Sequence, residues 1–158
     1  MIFVTAGAQL PFDRFIKAVD EIACITNEKF VVQAFSGNYL PENFKLVEFF
    51  APDEFNKIIQ EAKLIVSHAG IGSILSAIDY EKPIIIFPRL GSLKETRNDH
   101  QMATAMAVNE KGYAYVAYDK KQLKDYLLCS DNLIPLKNKQ DKCNIFINFD
   151  RKISKKEK

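Results

Sequence analysis

Along most of the chain, short solid runs of apolar residues give way to stretches in which apolar positions recur every three or four residues. The solid runs at 2–5, 30–35, 45–49, 64–67, 84–87 and 114–117 predict buried strands. The periodic stretches predict helices. Residues 11–26 open with Pro11 in the first turn and place Phe12, Phe15, Ile16, Val19, Ile22 and Ala23 on one face. A second helix starts at Pro52-Asp53 and carries Phe55, Ile58, Ile59 and Ala62. A third follows residues 64–67, with Ile71, Ile74, Leu75 and Ile78 at helical spacing. A fourth covers about 98–111 before Gly112, and a fifth runs from the cap Asp119 to about Leu128, burying Leu123, Tyr126 and Leu127. Alternation at this spacing predicts an α/β fold, a Rossmann-like parallel sheet with helices on both faces. From Ser130 the pattern weakens, and the Ile145-Phe146-Ile147 cluster reads equally as a short strand or a docking segment.

Ligands of such sheets bind outside the carboxyl ends of the strands, so the loops at those ends carry the candidate chemistry. They are Ala6-Gly7-Ala8-Gln9 after the first strand, Phe50-Ala51-Pro52 after the third, His68-Ala69-Gly70 after the fourth, and residues 88–99 after the fifth. Both histidines and four of the six glycines fall on this rim, which marks it as the end to examine. Between strand and helix, His68-Ala69-Gly70-Ile71-Gly72-Ser73 leaves backbone N–H groups aimed outward at the positive end of a helix dipole. That stretch is compatible with a phosphate site or with a plain βα turn. Ser73 falls in the first helical turn, where its hydroxyl can cap the helix or bind phosphate. Gly7 permits a sharp turn, Gln9 offers an amide, and Arg89 brings charge to the rim. Asn98 or Asp99 can cap the fourth helix, while His100 and Gln101 are side chains of the kind that hold vicinal hydroxyls. The first loop lacks the second and third glycines of a dinucleotide fingerprint and is not a P-loop, which disfavours a nicotinamide oxidoreductase. No carboxylate pair suited to glycoside hydrolysis and no metal cluster stands out.

The net charge of +2 is uneven, because residues 151–158 hold five basic side chains against one acid, a sum of +4 that leaves −2 for the other 150. Such a tail is either a solvated terminus or a contact for an anionic surface. No basic, aromatic-rich face suggests nucleic acid. Cys24, Cys129 and Cys143 form no paired motif and read as reduced, mostly buried thiols of a cytosolic protein. The chain has no apolar run long enough for a membrane span, and its opening Met1-Ile2-Phe3-Val4-Thr5 reads as a strand rather than a signal peptide.

Three segments taken together resemble a known family. Ser67-His68-Ala69-Gly70-Ile71-Gly72-Ser73, then Lys82-Pro83-Ile84-Ile85-Ile86-Phe87-Pro88-Arg89, then Asn98-Asp99-His100-Gln101 are similar to the C-terminal, donor-binding half of family 28 glycosyltransferases. The opening Phe3-Val4-Thr5-Ala6-Gly7-Ala8-Gln9-Leu10-Pro11-Phe12-Asp13-Arg14 resembles the start of that family's small single-domain members. The resemblance covers about residues 1–118. It implies one half of a GT-B fold that binds a UDP-sugar at Gly7, Ala8, Gln9, Phe50, Ala51, His68, Ala69, Gly70, Ile71, Gly72, Ser73, Ser76, Arg89, Asn98, His100 and Gln101. Within that set, the turn and helix head take the diphosphate, Gln101 with His100 the sugar, and Phe50-Ala51 the uracil edge.

The resemblance also implies an inverting transferase that needs no metal or other cofactor. Its implied partners are a membrane-anchored subunit that supplies the acceptor side, and a lipid-linked sugar acceptor in exopolysaccharide, capsule or lipid-linked glycan synthesis. No general base is assigned to this chain. The expected organisation is a UDP-sugar-binding domain at 1–130 and a docking segment with basic tail at 131–158, held at the cytoplasmic membrane face through the partner. Four positions depart from the family pattern. Ala8 stands for a hydroxyl residue, Ser76 for an acid that meets ribose, Glu81 for a glycine and Thr96 for a histidine. Ala8 and Ser76 are what favours the alternative, a non-catalytic nucleotide-sugar-binding regulatory module.

Overall fold

The computed structural model describes residues 1–7 and 9–137. Ala8, Cys143, the Ile145-Phe146-Ile147 cluster and the tail at 151–158 lie outside the described residues. The strands are β1 (Ile2–Thr5), β2 (Phe30–Gln33), β3 (Leu46–Val47), β4 (Leu64–Ser67), β5 (Ile84–Ile86) and β6 (Tyr115–Val116). The helices are α1 (Asp13–Ala23), α2 (Pro52–Glu61), α3 (Ile71–Asp79), α4 (His100–Glu110) and α5 (Lys120–Leu128). Every neighbouring strand pair is parallel and the order is β3-β2-β1-β4-β5-β6, the doubly wound Rossmann arrangement.

The two faces of the sheet bury separate clusters. Val4 and Val66 point to the side covered by Phe15, Val19 and Ile22 of α1 and by Leu123 and Leu127 of α5. Phe3 and Ile65 point to the other, beneath Ile59 of α2, Ile74 and Ile78 of α3, and Val108 of α4. Alternation along β1 and β4 thus feeds two cores at once, which is why these strands read as unbroken apolar runs.

Element ends follow local chemistry. Asp119 caps α5 by accepting from the Gln122 N–H at 2.8 Å, and Pro52 stands in the first turn of α2. Helix α1 begins at Asp13 rather than with Pro11, because Phe12 holds a non-helical backbone while its ring is buried. Strand β3 is only two residues long and leaves Phe49 70% exposed, so the expected run of 45–49 is mostly loop. Helix α3 closes with the N–H of Glu81 on the Ile78 carbonyl and that of Lys82 on the Ala77 carbonyl. This closure puts Glu81 in the left-handed region at φ +51°, a position where glycine is at ease.

Two cysteines depart from expectation. Cys24 and Cys129 are exposed because they cap the C-termini of α1 and α5, where the chain leaves the core. Beyond α5, Leu133 packs against the cluster shared by α1 and α5, and the Tyr115 hydroxyl donates to the Ile134 carbonyl at 3.2 Å. The buried Asp20 carboxylate accepts from Tyr39 Oη (2.7 Å), Glu42 N (3.0 Å) and Asn43 N (2.8 Å), tying the β2–β3 loop to α1. Among the described residues no helix is long and apolar enough to cross a membrane.

Candidate functional site

The chain winds away from β1 toward β2 and β3 on one side, and from β4 toward β5 and β6 on the other. The gap at their carboxyl ends is therefore the crevice of the fold. Thr5 and Ser67 are register partners at that end, and the His68 N–H donates to the Thr5 carbonyl at 3.2 Å, extending the ladder one step. The imidazole of His68 then lies across two glycines. A Cβ on Gly7, whose φ is +79°, would fall 3.1 Å from His68 Cε1, and one on Gly70 would fall 2.4 Å from Nε2. Both glycines make room for this ring.

His68 Nδ1 lies 3.4 Å from the Thr5 carbonyl and 3.4 Å from Ser67 Oγ. A carbonyl only accepts, so Nδ1 carries the proton and Nε2 the lone pair of the neutral ring. Burial pushes the His68 pKa below its ordinary value; the Thr5 carbonyl opposes this and the charge of Arg89 adds to it. The ring is neutral at neutral pH.

Gly70 is the N-cap of α3, extended at φ −88° and ψ 131°, and no side chain caps this helix. Its own N–H turns back to the His68 carbonyl at 2.7 Å. Ile71, Gly72 and Ser73 form the first turn, where helical N–H groups lack an intrahelical partner. A Cβ on Gly72 would meet nothing within 4 Å, so space opens over that turn. Ser73 is half-buried in the third helical position, Ser76 sits a turn further on, and Ala69 is buried against the core. Bared amides, a helix dipole and open space at the crevice are the features with which a helix head can seat an anion.

The other expected residues divide. Gln9 is exposed on the rim. The ring of Phe50 is buried 6.5 Å from that of Phe3, so only exposed Ala51, the N-cap of α2, presents a surface there. Asn98 Oδ1 takes the His100 N–H at 3.1 Å and starts α4, while the His100 side chain is exposed. Gln101 is half-buried, and its Oε1 accepts from the Arg89 N–H at 3.1 Å, leaving the amide nitrogen as its free end.

Arg89 requires a correction. It is 4% exposed, and its guanidinium donates to the carbonyls of Ala6, Leu10, Pro11 and Glu95. Those bonds engage four of its five donors, so Arg89 holds the first loop from beneath. Arg14 and Glu95, to which the sequence assigns no role, pair at 2.7 Å across the same loops. An arginine directly after a buried strand and its proline was the available signal, though its partners lie about eighty residues away. Among the described residues no group of three His, Cys, Asp or Glu could hold a metal ion.

Comparison with known proteins adds a lineage to this geometry. The family model described as "Glycosyltransferase family 28 C-terminal domain" matches residues 1–156. The human UDP-N-acetylglucosamine transferase subunit ALG13 is 27% identical over 125 residues, 72% of this chain and 11% of that protein. The Prochlorococcus marinus (strain MIT 9301) UDP-N-acetylglucosamine--N-acetylmuramyl-(pentapeptide) pyrophosphoryl-undecaprenol N-acetylglucosamine transferase is 33% identical over 86 residues, 54% of this chain and 21% of that one. The chain therefore spans about a tenth to a fifth of these curated relatives. An NMR solution structure of ALG13 shares the fold with a TM-score of 0.57 at 22% identity, covering 86% of this chain and 88% of that chain. The same Rossmann-like fold recurs in about a third of two larger solved chains, a glycotransferase of kitacinnamycin (TM-score 0.55, 18% identity, 80% of this chain and 34% of that one) and the spinosyn forosaminyltransferase SpnP (TM-score 0.59, 15% identity, 82% and 34%).

Proposed function

The chain belongs to the glycosyltransferase family 28 C-terminal domain family, and from that membership we propose that it is the donor-binding subunit of an inverting, UDP-sugar-dependent glycosyltransferase. The observation that carries the reading is the bared head of α3, capped by Gly70 and open above Gly72, at the point where the strand order reverses. The UDP pyrophosphate rests there on the amides of residues 71–73, with His68 alongside. As the bond to the sugar breaks, negative charge grows on the leaving diphosphate, and fixed N–H dipoles stabilise it without reorganising. Gln101, with His100 and Asn98 beside it, meets the sugar. The backbone at Phe50-Ala51 lies along the uracil, Ser76 faces the ribose, and Gly7 and Gln9 line the cleft.

Both named relatives carry UDP-N-acetylglucosamine in their names, which makes it the first donor to test. The acceptor side falls to a membrane-anchored partner presenting a lipid-linked sugar, in exopolysaccharide, capsule or lipid-linked glycan synthesis. Residues 131–158 dock that partner and bring the donor subunit to the cytoplasmic membrane face. The second reading, a nucleotide-sugar-binding module without catalysis, is favoured by Ser76 in place of an acid at the ribose. Co-expression with the partner separates the two: sugar transfer to a lipid acceptor supports the enzyme, and donor binding without transfer supports the module. Titration of the isolated chain with UDP and with NAD tests the site itself, and tighter binding of NAD refutes both readings.

A further inference from the structure

Two rim loops far apart in sequence are tied together from beneath. Arg89 donates through Nη2 to the carbonyls of Ala6 (2.7 Å) and Leu10 (2.7 Å), and through Nη1 to those of Pro11 (2.7 Å) and Glu95 (3.1 Å). Its Cζ also stands 4.4 Å from the centre of the Phe12 ring. A buried guanidinium is costly to desolvate, so the carbonyls that satisfy it are held where it needs them.

A second tie runs alongside. Arg14 grips Glu95 with both ends of its fork, Nε to Oε1 at 2.7 Å and Nη2 to Oε2 at 2.9 Å, and Nη2 also donates to the Pro88 carbonyl at 2.8 Å. Glu95 Oε2 in turn accepts from the Leu90 N–H at 2.8 Å. The third tie is the Arg89 N–H on Gln101 Oε1, which turns the carboxamide nitrogen outward. None of these bonds reaches α3.

We propose that Arg89 and the Arg14–Glu95 pair form a positioning clamp, which locks the loop after β1 to the loop after β5 and fixes Gln101 and the Gly7 and Gln9 backbone in one geometry for the sugar of the bound nucleotide. The clamp rests on the donor-binding reading and deepens it, because it assigns sugar selectivity to residues that never touch the ligand. Loosening it costs recognition of the sugar while the diphosphate keeps its seat on α3.

The test uses the full chain with Arg89→Lys and Glu95→Gln, each titrated calorimetrically with UDP and with UDP-N-acetylglucosamine. A lysine keeps the charge, yet its compact ammonium has three donors and cannot span four carbonyls. Glu95→Gln keeps the side-chain shape and loses the ion pair, and it serves if Arg89→Lys does not fold. The expected result is UDP affinity within about threefold of wild type and a ratio of the two dissociation constants shifted about tenfold against the sugar, the scale of one hydrogen bond. The shift should be smaller in a Gln101→Ala background than in wild type, since the changes share the Gln101 contact, and what remains reports the Gly7 and Gln9 backbone.

Parallel weakening of both ligands, an unchanged ratio, or full additivity with Gln101→Ala overturns the clamp, because a merely structural role gives those results. A wild-type chain that binds neither ligand refutes the donor reading instead. The clamp is then judged by amide chemical shifts, which should move at residues 6–10 and 90–95 and stay fixed in α3. Shifts confined to the mutated residue would overturn it.

Discussion

Gly72→Leu separates folding from binding more cleanly than any other change at the site. A Cβ at Gly72 meets nothing within 4 Å and the residue is exposed, so a leucine there starts into open space. Inside a helix, glycine is less favourable than leucine by up to about 1 kcal/mol, so the variant should be as stable as wild type or slightly more so. On a domain of this size that corresponds to a rise in Tm of at most roughly 4 °C. The ligand fares differently, since the side chain fills the space over the first turn where the pyrophosphate would lie. A hydrogen bond to a charged group contributes about 1.5–3 kcal/mol, so losing two of them costs about 3–6 kcal/mol. At 1.4 kcal/mol per decade, UDP affinity should fall by at least about a hundredfold. Differential scanning calorimetry and isothermal titration of the same preparation read the two quantities together. A folded variant that binds UDP within about threefold of wild type would refute the placement of the diphosphate. Gly70→Ala is the informative contrast: its Cβ would lie 2.4 Å from His68 Nε2, so it should lose stability as well as binding.

Three further outcomes follow from the structure. Gln101→Ala should weaken a UDP-sugar by about tenfold, the scale of one hydrogen bond, and UDP itself much less; equal losses by titration would contradict its sugar contact. Glu81→Gly should raise stability by about 0.5–1 kcal/mol, the left-handed penalty of a side chain less the extra unfolded-state entropy of glycine, and a lowered Tm would show that the strain lies elsewhere. The pKa of His68 is held below 6.5 in the folded chain, so on acidification the unfolded chain takes up the proton first. Its contribution to stability is complete above about pH 6.5 and is lost as pH falls toward the folded value. Wild type should therefore lose Tm relative to His68→Gln between about pH 7 and pH 5, and a difference that does not change with pH would contradict the neutral ring.

What the sequence made legible was whatever depends on neighbours in the chain. Residues 64–67 form β4 with the expected ends, Pro52 starts α2 and Asp119 caps α5, because apolar runs, a proline and a capping carboxylate act locally. The head of α3 was legible for the same reason, as a glycine turn between strand and helix declares itself within six residues. The position of Glu81 carried a backbone reason too, for the family glycine it replaces fits a φ of +51°. Arg89 was misjudged because burial of a cation is decided at long range. The carbonyls of Ala6, Leu10 and Pro11 reach it only after β1 and β5 have joined the same sheet on either side of β4. His68 shows the middle case, since its place on the rim could be read from the sequence. Its packing across Gly7 and Gly70 could not, because Gly7 arrives from a strand sixty residues earlier.

Whether the head of α3 seats a nucleotide's diphosphate is decided by a crystal of the chain soaked with UDP. Phosphate oxygens should lie within hydrogen-bond distance of the N–H groups of residues 71–73, beside the His68 ring. UDP found elsewhere on the chain, or side chains filling the space above Gly72 with the nucleotide excluded, would contradict it.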